Sequence, residues 1–434
     1  YYVDPVNGDN ASSGTSAAEA WRTLHYAIEL INGGSTGTYS LTLAAGTYSL
    51  GSEGVDVPLV ISQDMVIEGS GAIIDGAGDH GDAENPWTTG LLIGPGAVDV
   101  TISGLIIENF KYCIVLNSDG GCLTLAGVSV RGCETGFKVV DTYQTTVDLS
   151  GSSFENNWIG LHVTANSSNN HILNGTVQSN TGDGIRLESA GDPADDNRFE
   201  GIEISDNTGN GIIIYEGCGN EVIDCVITNN NLGESGYGGV AILTGGTLVT
   251  GNSLEGNHCY GIYADDALSS EHLDATDNWW GAASGPGGAG AGSGDSVSEH
   301  VDYAPWSSNA PFTDDDNDGW PNAAEEQAGT DPDDKNDYPQ GIIAFYVGGP
   351  DGSNTNLGTA AFPLRSLHEA VDRINISPEA DYTVHLAAGT YDLSVEADSP
   401  LVPVHNVSII GPDPGLGAVL DGAGATSWTT GLII

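Results

Sequence analysis

Between about Ile67 and Trp280 the chain alternates short apolar runs with polar turns, and many of the runs open just after a glycine. Aligned on that glycine, the copies are Gly136-Phe137-Lys138-Val139, Gly160-Leu161-His162-Val163, Gly184-Ile185-Arg186-Leu187, Gly211-Ile212-Ile213-Ile214, Gly239-Val240-Ala241-Ile242 and Gly261-Ile262-Tyr263-Ala264. Successive glycines stand 24, 24, 27, 28 and 22 residues apart. A period in the twenties with two or three alternating strands per period predicts a solenoid in which each turn pairs with the next and apolar side chains stack in one column. About four residues before most of these glycines stands an asparagine, at Asn156, Asn180, Asn207 and Asn257, with Asn230 in a longer loop. Recurring at one turn, such residues predict an amide ladder along the column.

Ahead of the repeats, helical spacing appears once. Ser16 with Glu19 forms a capping box, Leu24, Ala27, Ile28 and Ile31 share a face, and Asn32-Gly33-Gly34 stops the pattern, which predicts one helix over about Ala17–Ile31. A single amphipathic helix before many strands reads as a lid on an open sheet end.

The opening returns after Pro339. Phe345-Tyr346-Val347 matches Tyr1-Tyr2-Val3, Arg365-Ser366-Leu367-His368 matches Arg22-Thr23-Leu24-His25, and Leu386 to Tyr391 matches Leu43 to Tyr48 at an offset of 343. Three parts are therefore expected. Residues 1–308 form a first unit, with residues 1–50 as its N-terminal cap and first strands and 273–308 as its closing cap. Residues 309–340 are a linker, and 341–434 start a second unit equivalent to 1–93. A solenoid stopped after its first turns exposes its column, so the chain is expected to be part of a longer one built of such units.

The linker carries the calcium-loop pattern of alternating acids, Asp314, Asp316 and Asp318, then Gly319, the Trp320 main-chain carbonyl and Glu325. A hard cation takes six to eight oxygens, and this spacing supplies them around one bend. The expected cofactor is Ca2+, held for architecture and not for catalysis.

Composition narrows the class. The chain of 434 residues has 63 Gly and only 16% charged residues, which favours short strands and tight turns. Its 60 Asp and Glu against 9 Lys and Arg give a formal net charge of −51. Nucleic acid and anionic membrane surfaces are therefore disfavoured as partners, no stretch reaches the roughly 20 apolar residues of a membrane span, and a salty, calcium-rich extracellular or cell-surface setting is expected. The six cysteines, Cys113, Cys122, Cys133, Cys218, Cys225 and Cys259, follow no metal or redox spacing. Cys218 and Cys225 are one candidate bridge between turns; buried reduced thiols are the alternative.

Together, Tyr1-Tyr2-Val3-Asp4, Trp21-Arg22-Thr23-Leu24, Ala44-Ala45-Gly46-Thr47-Tyr48, the Asn/Gly turns and the closing Asp277-Asn278-Trp279-Trp280-Gly281 resemble the right-handed parallel β-helix, or pectate-lyase-like, superfamily. The resemblance implies an all-β, right-handed parallel β-helix (solenoid) with a short N-terminal capping helix. Gly329-Thr330-Asp331-Pro332 makes the linker resemble the thrombospondin type 3-like calcium repeat, which implies Asp331, Asp333 and Asp337 as further ligands.

A fold of this kind hosts lyases, hydrolases, adhesins and inert shafts. The position two residues after the glycine gives Lys138, His162 and Arg186 on three successive turns, with Arg131, Glu155 and Asp141 as candidate neighbours. This is the weak candidate for a catalytic strip, and charge balance along an acidic column is its alternative. The paired-aspartate, Gly-His-Gly and Arg-Ile-Lys signatures of the polygalacturonase relatives are missing, as are the lysine and arginine motifs of the alginate-lyase and chondroitinase-like families. The expected function is an exported structural filament or adhesin whose partners are further copies of the unit and extracellular polysaccharide. A calcium-dependent polysaccharide lyase or glycoside hydrolase, and a non-catalytic glycan-binding module, are the alternatives.

Overall fold

The computed structural model describes residues 1–49, 58–76, 89–164, 166–188, 194–233, 236–265, 268 and 272–308, and then shorter stretches: 320, 325, 328–331, 337–339, 342, 344–348, 358–359, 363–364, 367–376, 381–387, 389–392, 406–411 and 418–421. The chain divides into two compact units, Tyr1–Trp306 and Ser307–Ile434.

The first unit is a right-handed parallel β-helix. Its strands lie in a 19-stranded and an 11-stranded sheet, and every strand pairing in them is parallel. One inward row of the 11-stranded sheet runs Ile114, Phe137, Leu161, Ile185, Ile212, Val240 and Ile262, each paired with the next. Val130, Phe154, Val177, Ile204, Ile227 and Leu254 form an inward row of the other sheet. All of these side chains are buried. Period-two alternation thus adds one apolar residue to each inward row per turn and builds a continuous column.

At one corner, buried asparagines chain the turns together. The Oδ1 of Asn180 accepts from Asn157 N, that of Asn207 from Asn180 N and Nδ2, that of Asn230 from Asn207, and that of Asn257 from Asn230, while each Nδ2 also donates to a carbonyl of the preceding turn. Asp295 ends the row by accepting from Asn257 N and Nδ2. One position differs from expectation: the ladder residue is Asn157, whereas Asn156 is exposed and takes the left-handed turn conformation at φ 57°. A second ladder, Asn170–Asn197–Asn220, runs along another corner.

The glycine that marks each period makes room for this ladder. A Cβ on Gly184 would lie 2.7 Å from Gly211 O and 2.8 Å from Asn207 Nδ2, and a Cβ on Gly211 2.6 Å from Gly239 O and 2.9 Å from Asn230 Nδ2.

The capping helix is shorter than the sequence pattern predicts. A 3-10 turn, Ala17–Glu19, and an α-helix, Leu24–Asn32, are separated by extended backbone at Ala20. Tertiary pairing overrides the pattern there: Trp21 N donates to Tyr2 O, Asp4 N donates to Trp21 O, and the indole is buried. Ser16 makes no side-chain cap; Thr23 Oγ1 caps the α-helix by accepting from Tyr26 N. At the other end the Trp280 side chain plugs the column.

Cysteine pairing also departs from the candidate bridge. Cys113 and Cys133 form a disulfide, with Cα atoms 6.0 Å apart. Cys218 lies in an exposed turn and Cys225 inside the column, its Sγ donating to Phe199 O and Ile223 O, so the two are not joined.

In the second unit, strands Ala344–Val347, Asp381–Leu386 and Asn406–Ile410 form a parallel sheet beside a helix, Leu367–Ile376. Val347 pairs with Leu386 as Val3 pairs with Leu43. Trp320, which falls in the expected linker, is buried in the core of this unit.

Candidate functional site

The outward row of the 11-stranded sheet reads Val60, Leu92, Val115, Lys138, His162, Arg186, Ile213, Ala241 and Tyr263. The three residues singled out in the sequence therefore stand on adjacent strands, about 4.8 Å apart, in an otherwise apolar row.

Aromatic rings wall this strip. The Lys138 Nζ lies 4.6 Å from the centroid of the Tyr112 ring, and the Lys111 Nζ 5.4 Å from the same ring. The Arg186 guanidinium lies 5.2 Å from the Trp158 ring and 5.9 Å from that of Tyr215. Its Nε and Nη2 donate to Asp183 Oδ2 at 2.9 and 2.6 Å, and the buried Asp183 is fixed in turn because its Oδ1 accepts from Asn210 N and Nδ2. Beside the strip a cleft of about 330 Å3 is lined by Lys111, Glu134, Asn157, Trp158 and Thr181.

Burial, followed by repulsion from Lys111, pushes the Lys138 ammonium below its ordinary value, with Glu134 acting in the opposite direction. Burial, reinforced by the charges of Lys138 and Arg186 against a smaller effect of Asp183, pushes the His162 imidazole down to about 4. Its Nε2 is buried and makes no hydrogen bond among the described residues; the Glu188 carboxylate is 3.9 Å away.

A histidine lowered from its ordinary 6.5 favours the folded state only while neutral. That stability is whole above about pH 6.5 and is lost as pH falls toward 4, by an upper bound of roughly 3 kcal/mol. His162→Gln is expected to flatten the acid side of the stability curve between those values. Urea unfolding at pH 7.5 and 4.5 measures it; an unchanged difference between the two pH values would show that the imidazole does not titrate in this way.

Chemically, the strip is suited to holding an anion or a sugar face more than to moving a proton. The one imidazole has its Nε2 sealed from solvent, and Arg186 is pinned by Asp183, whereas Trp158 is 48% exposed beside the cations. The other expected neighbours are elsewhere. Arg131 pairs with Glu155 on the 19-stranded sheet and its Nε donates to Glu108, and Asp141 sits in a left-handed turn where its Oδ1 accepts from Asn166. Tyr112, Trp158, Asp183 and Tyr215 belong to the strip but were not picked out from the sequence; the Asp183-to-Arg186 spacing was the available signal for one of them.

Of the expected calcium ligands, Asp314, Asp316, Asp318 and Asp333 lie outside the described residues. Trp320 and Glu325 are buried, and Asp331 and Asp337 are exposed. Among the described residues no three His, Cys, Asp or Glu side chains converge as a metal site. Complete burial of the Glu325 carboxylate does fit a calcium loop, because a carboxylate removed from water needs a cation or strong donors. In such a loop Glu325 would supply carboxylate oxygens and Trp320 its carbonyl; calcium would supply the positive charge that offsets the acidic side chains around it.

Comparison with known proteins agrees with the fold. The right-handed β-helix region family matches residues 89–254 and 171–293. Among solved structures, pectate lyase Pel9A aligns at 14% identity over 77% of this chain and 86% of its own, with a TM-score of 0.46. The A-module of the Azotobacter vinelandii mannuronan C-5 epimerase AlgE4 aligns at 15% identity over 70% and 97%, with a TM-score of 0.39. The Dettilon tailspike protein aligns at 13% identity over 69% and 68%, with a TM-score of 0.37. No curated protein sequence matches the chain. Among the described residues no helix is long and apolar enough to cross a membrane.

Proposed function

We propose that this protein is an exported structural element, in which β-helix units follow one another through calcium-stiffened linkers at a cell surface or in an extracellular filament. The observation that carries this reading is the recurrence of the cap. Strand register and helix placement in Ala344–Leu386 reproduce those of Tyr2–Leu43. The acid load keeps such a shaft soluble and makes it depend on divalent cations. Its partners are further copies of the same unit.

Calcium removal tests the reading. Chelation is expected to open residues 309–340 to proteolysis, and Asp316→Asn with Glu325→Gln to do the same in the presence of calcium, while acidic polysaccharides incubated with the chain release no unsaturated sugar. Release that Arg186→Ala abolishes would replace the structural reading with the lyase one. The exposed Trp158 beside Lys111, Lys138 and Arg186 favours a second role, a glycan-binding face. Binding of an acidic oligosaccharide in that case quenches tryptophan fluorescence, and Trp158→Ala removes the quench.

A further inference from the structure

The two caps differ in one respect. Strand register makes Phe345 the counterpart of Tyr1 and Tyr382 that of Tyr39, and the helices align so that Arg373 takes the place of Leu30. The paired rings keep their spacing, though not their tilt: Phe345 and Tyr382 have centroids 6.3 Å apart at 40°, Tyr1 and Tyr39 6.4 Å apart at 23°. Exposure does not follow. Phe345, Tyr382 and Arg373 are buried to 0%, 3% and 1%, whereas Tyr1 is 39% and Leu30 49% exposed and Tyr39 is half-buried.

Trp320 accounts for the difference at Phe345 and Arg373. Its ring stacks on Phe345 at 6.4 Å and lies 4.9 Å from the Arg373 guanidinium, so a residue of the preceding segment closes the second cap. Trp21 stacks on Tyr1, with centroids 4.8 Å apart, yet the residue stays 39% exposed. Where the second cap presents Arg373 to the indole, the first presents the apolar Leu30, which offers the same indole a hydrophobic contact.

We propose that the Tyr1, Leu30 and Tyr39 face of the first cap is a docking site for a segment of the 307–344 type from another copy of the unit, with that segment's counterpart of Trp320 laid on Tyr1. This deepens the tandem reading and rests on it, by naming the element through which one unit engages the next. Strand pairing gives the entry point: Ala344 pairs with Thr383 just ahead of Phe345, and the equivalent position ahead of Tyr1 lies beside Ser40.

The test duplicates residues 307–344 directly in front of Tyr1 of the full chain, in calcium buffer. The unfolding midpoint of the first unit is expected to rise by about 5 °C, with protection of the Tyr1 and Leu30 side chains from hydroxyl-radical footprinting. Trp320→Ala in the appended copy alone is expected to cancel both effects. Leu30→Asp, a surface change that leaves the unit folded, is expected to cancel them with the appended tryptophan intact. No rise, or a rise that survives both changes, overturns the proposal. The tandem reading fails by a different route, through catalytic turnover or indifference of residues 309–340 to chelation.

Discussion

Asn207→Ala is expected to destabilise the first unit by about 3–5 kcal/mol. The Asn207 Oδ1 accepts from both Asn180 N and Asn180 Nδ2, and its Nδ2 donates to Val177 O and Asn230 Oδ1. All are buried, and Ala leaves several of them without their partner; each buried polar group so orphaned costs about 1–3 kcal/mol. The turns of a solenoid are stabilised chiefly by their neighbours, so the damage reaches the turns carrying Asn180 and Asn230 as well. Asn156→Gly is the control. Asn156 is exposed and already at positive φ, so Gly there should change stability by no more than about 0.5 kcal/mol. Denaturant unfolding of the two variants side by side decides the matter, and equal small losses would mean that the ladder is a passive consequence of the fold.

That ladder shows how far the sequence could be read. Its period and glycine landmarks were visible because a parallel coil repeats each environment once per turn. The one-residue error at Asn156-Asn157 has a physical source: both residues are polar, and only the backbone shows which takes the left-handed turn and which points inward. The Asn170–Asn197–Asn220 ladder is hidden in the sequence because no nearby glycine stands at a fixed offset from its three asparagines. The same regularity made Lys138, His162 and Arg186 legible as neighbours, since each falls two residues after its glycine on successive strands. Tyr112, Trp158 and Tyr215 come from strand starts and turns whose lengths vary, and no period reports them. The helix break at Ala20 was equally hidden, because helical spacing continues through Trp21 while tertiary backbone pairing takes Trp21 out of the helix. For the disulfide, spacing alone offered Cys218 and Cys225, and it was burial inside the column against exposure in a turn that kept them apart.

Trp320→Ala is expected to lower the stability of the second unit by about 3–5 kcal/mol, the usual range for deleting a buried tryptophan, and to leave the first unit's transition in place. The indole is buried between Phe345 and Arg373, and its removal opens a cavity against both. Phe in its place should restore part of the loss through stacking on Phe345. Because Trp320 also stands where the calcium loop would use a main-chain carbonyl, its backbone and side chain would join metal binding to the packing of the second cap. Chelation should therefore shift the second unit's midpoint in the native protein and shift it less in Trp320→Ala, where the connection between loop and core is already cut. Calorimetry with and without calcium, on both proteins, measures the four midpoints. Equal chelation shifts in the two would separate the metal from the core and reduce Trp320 to an ordinary packing residue.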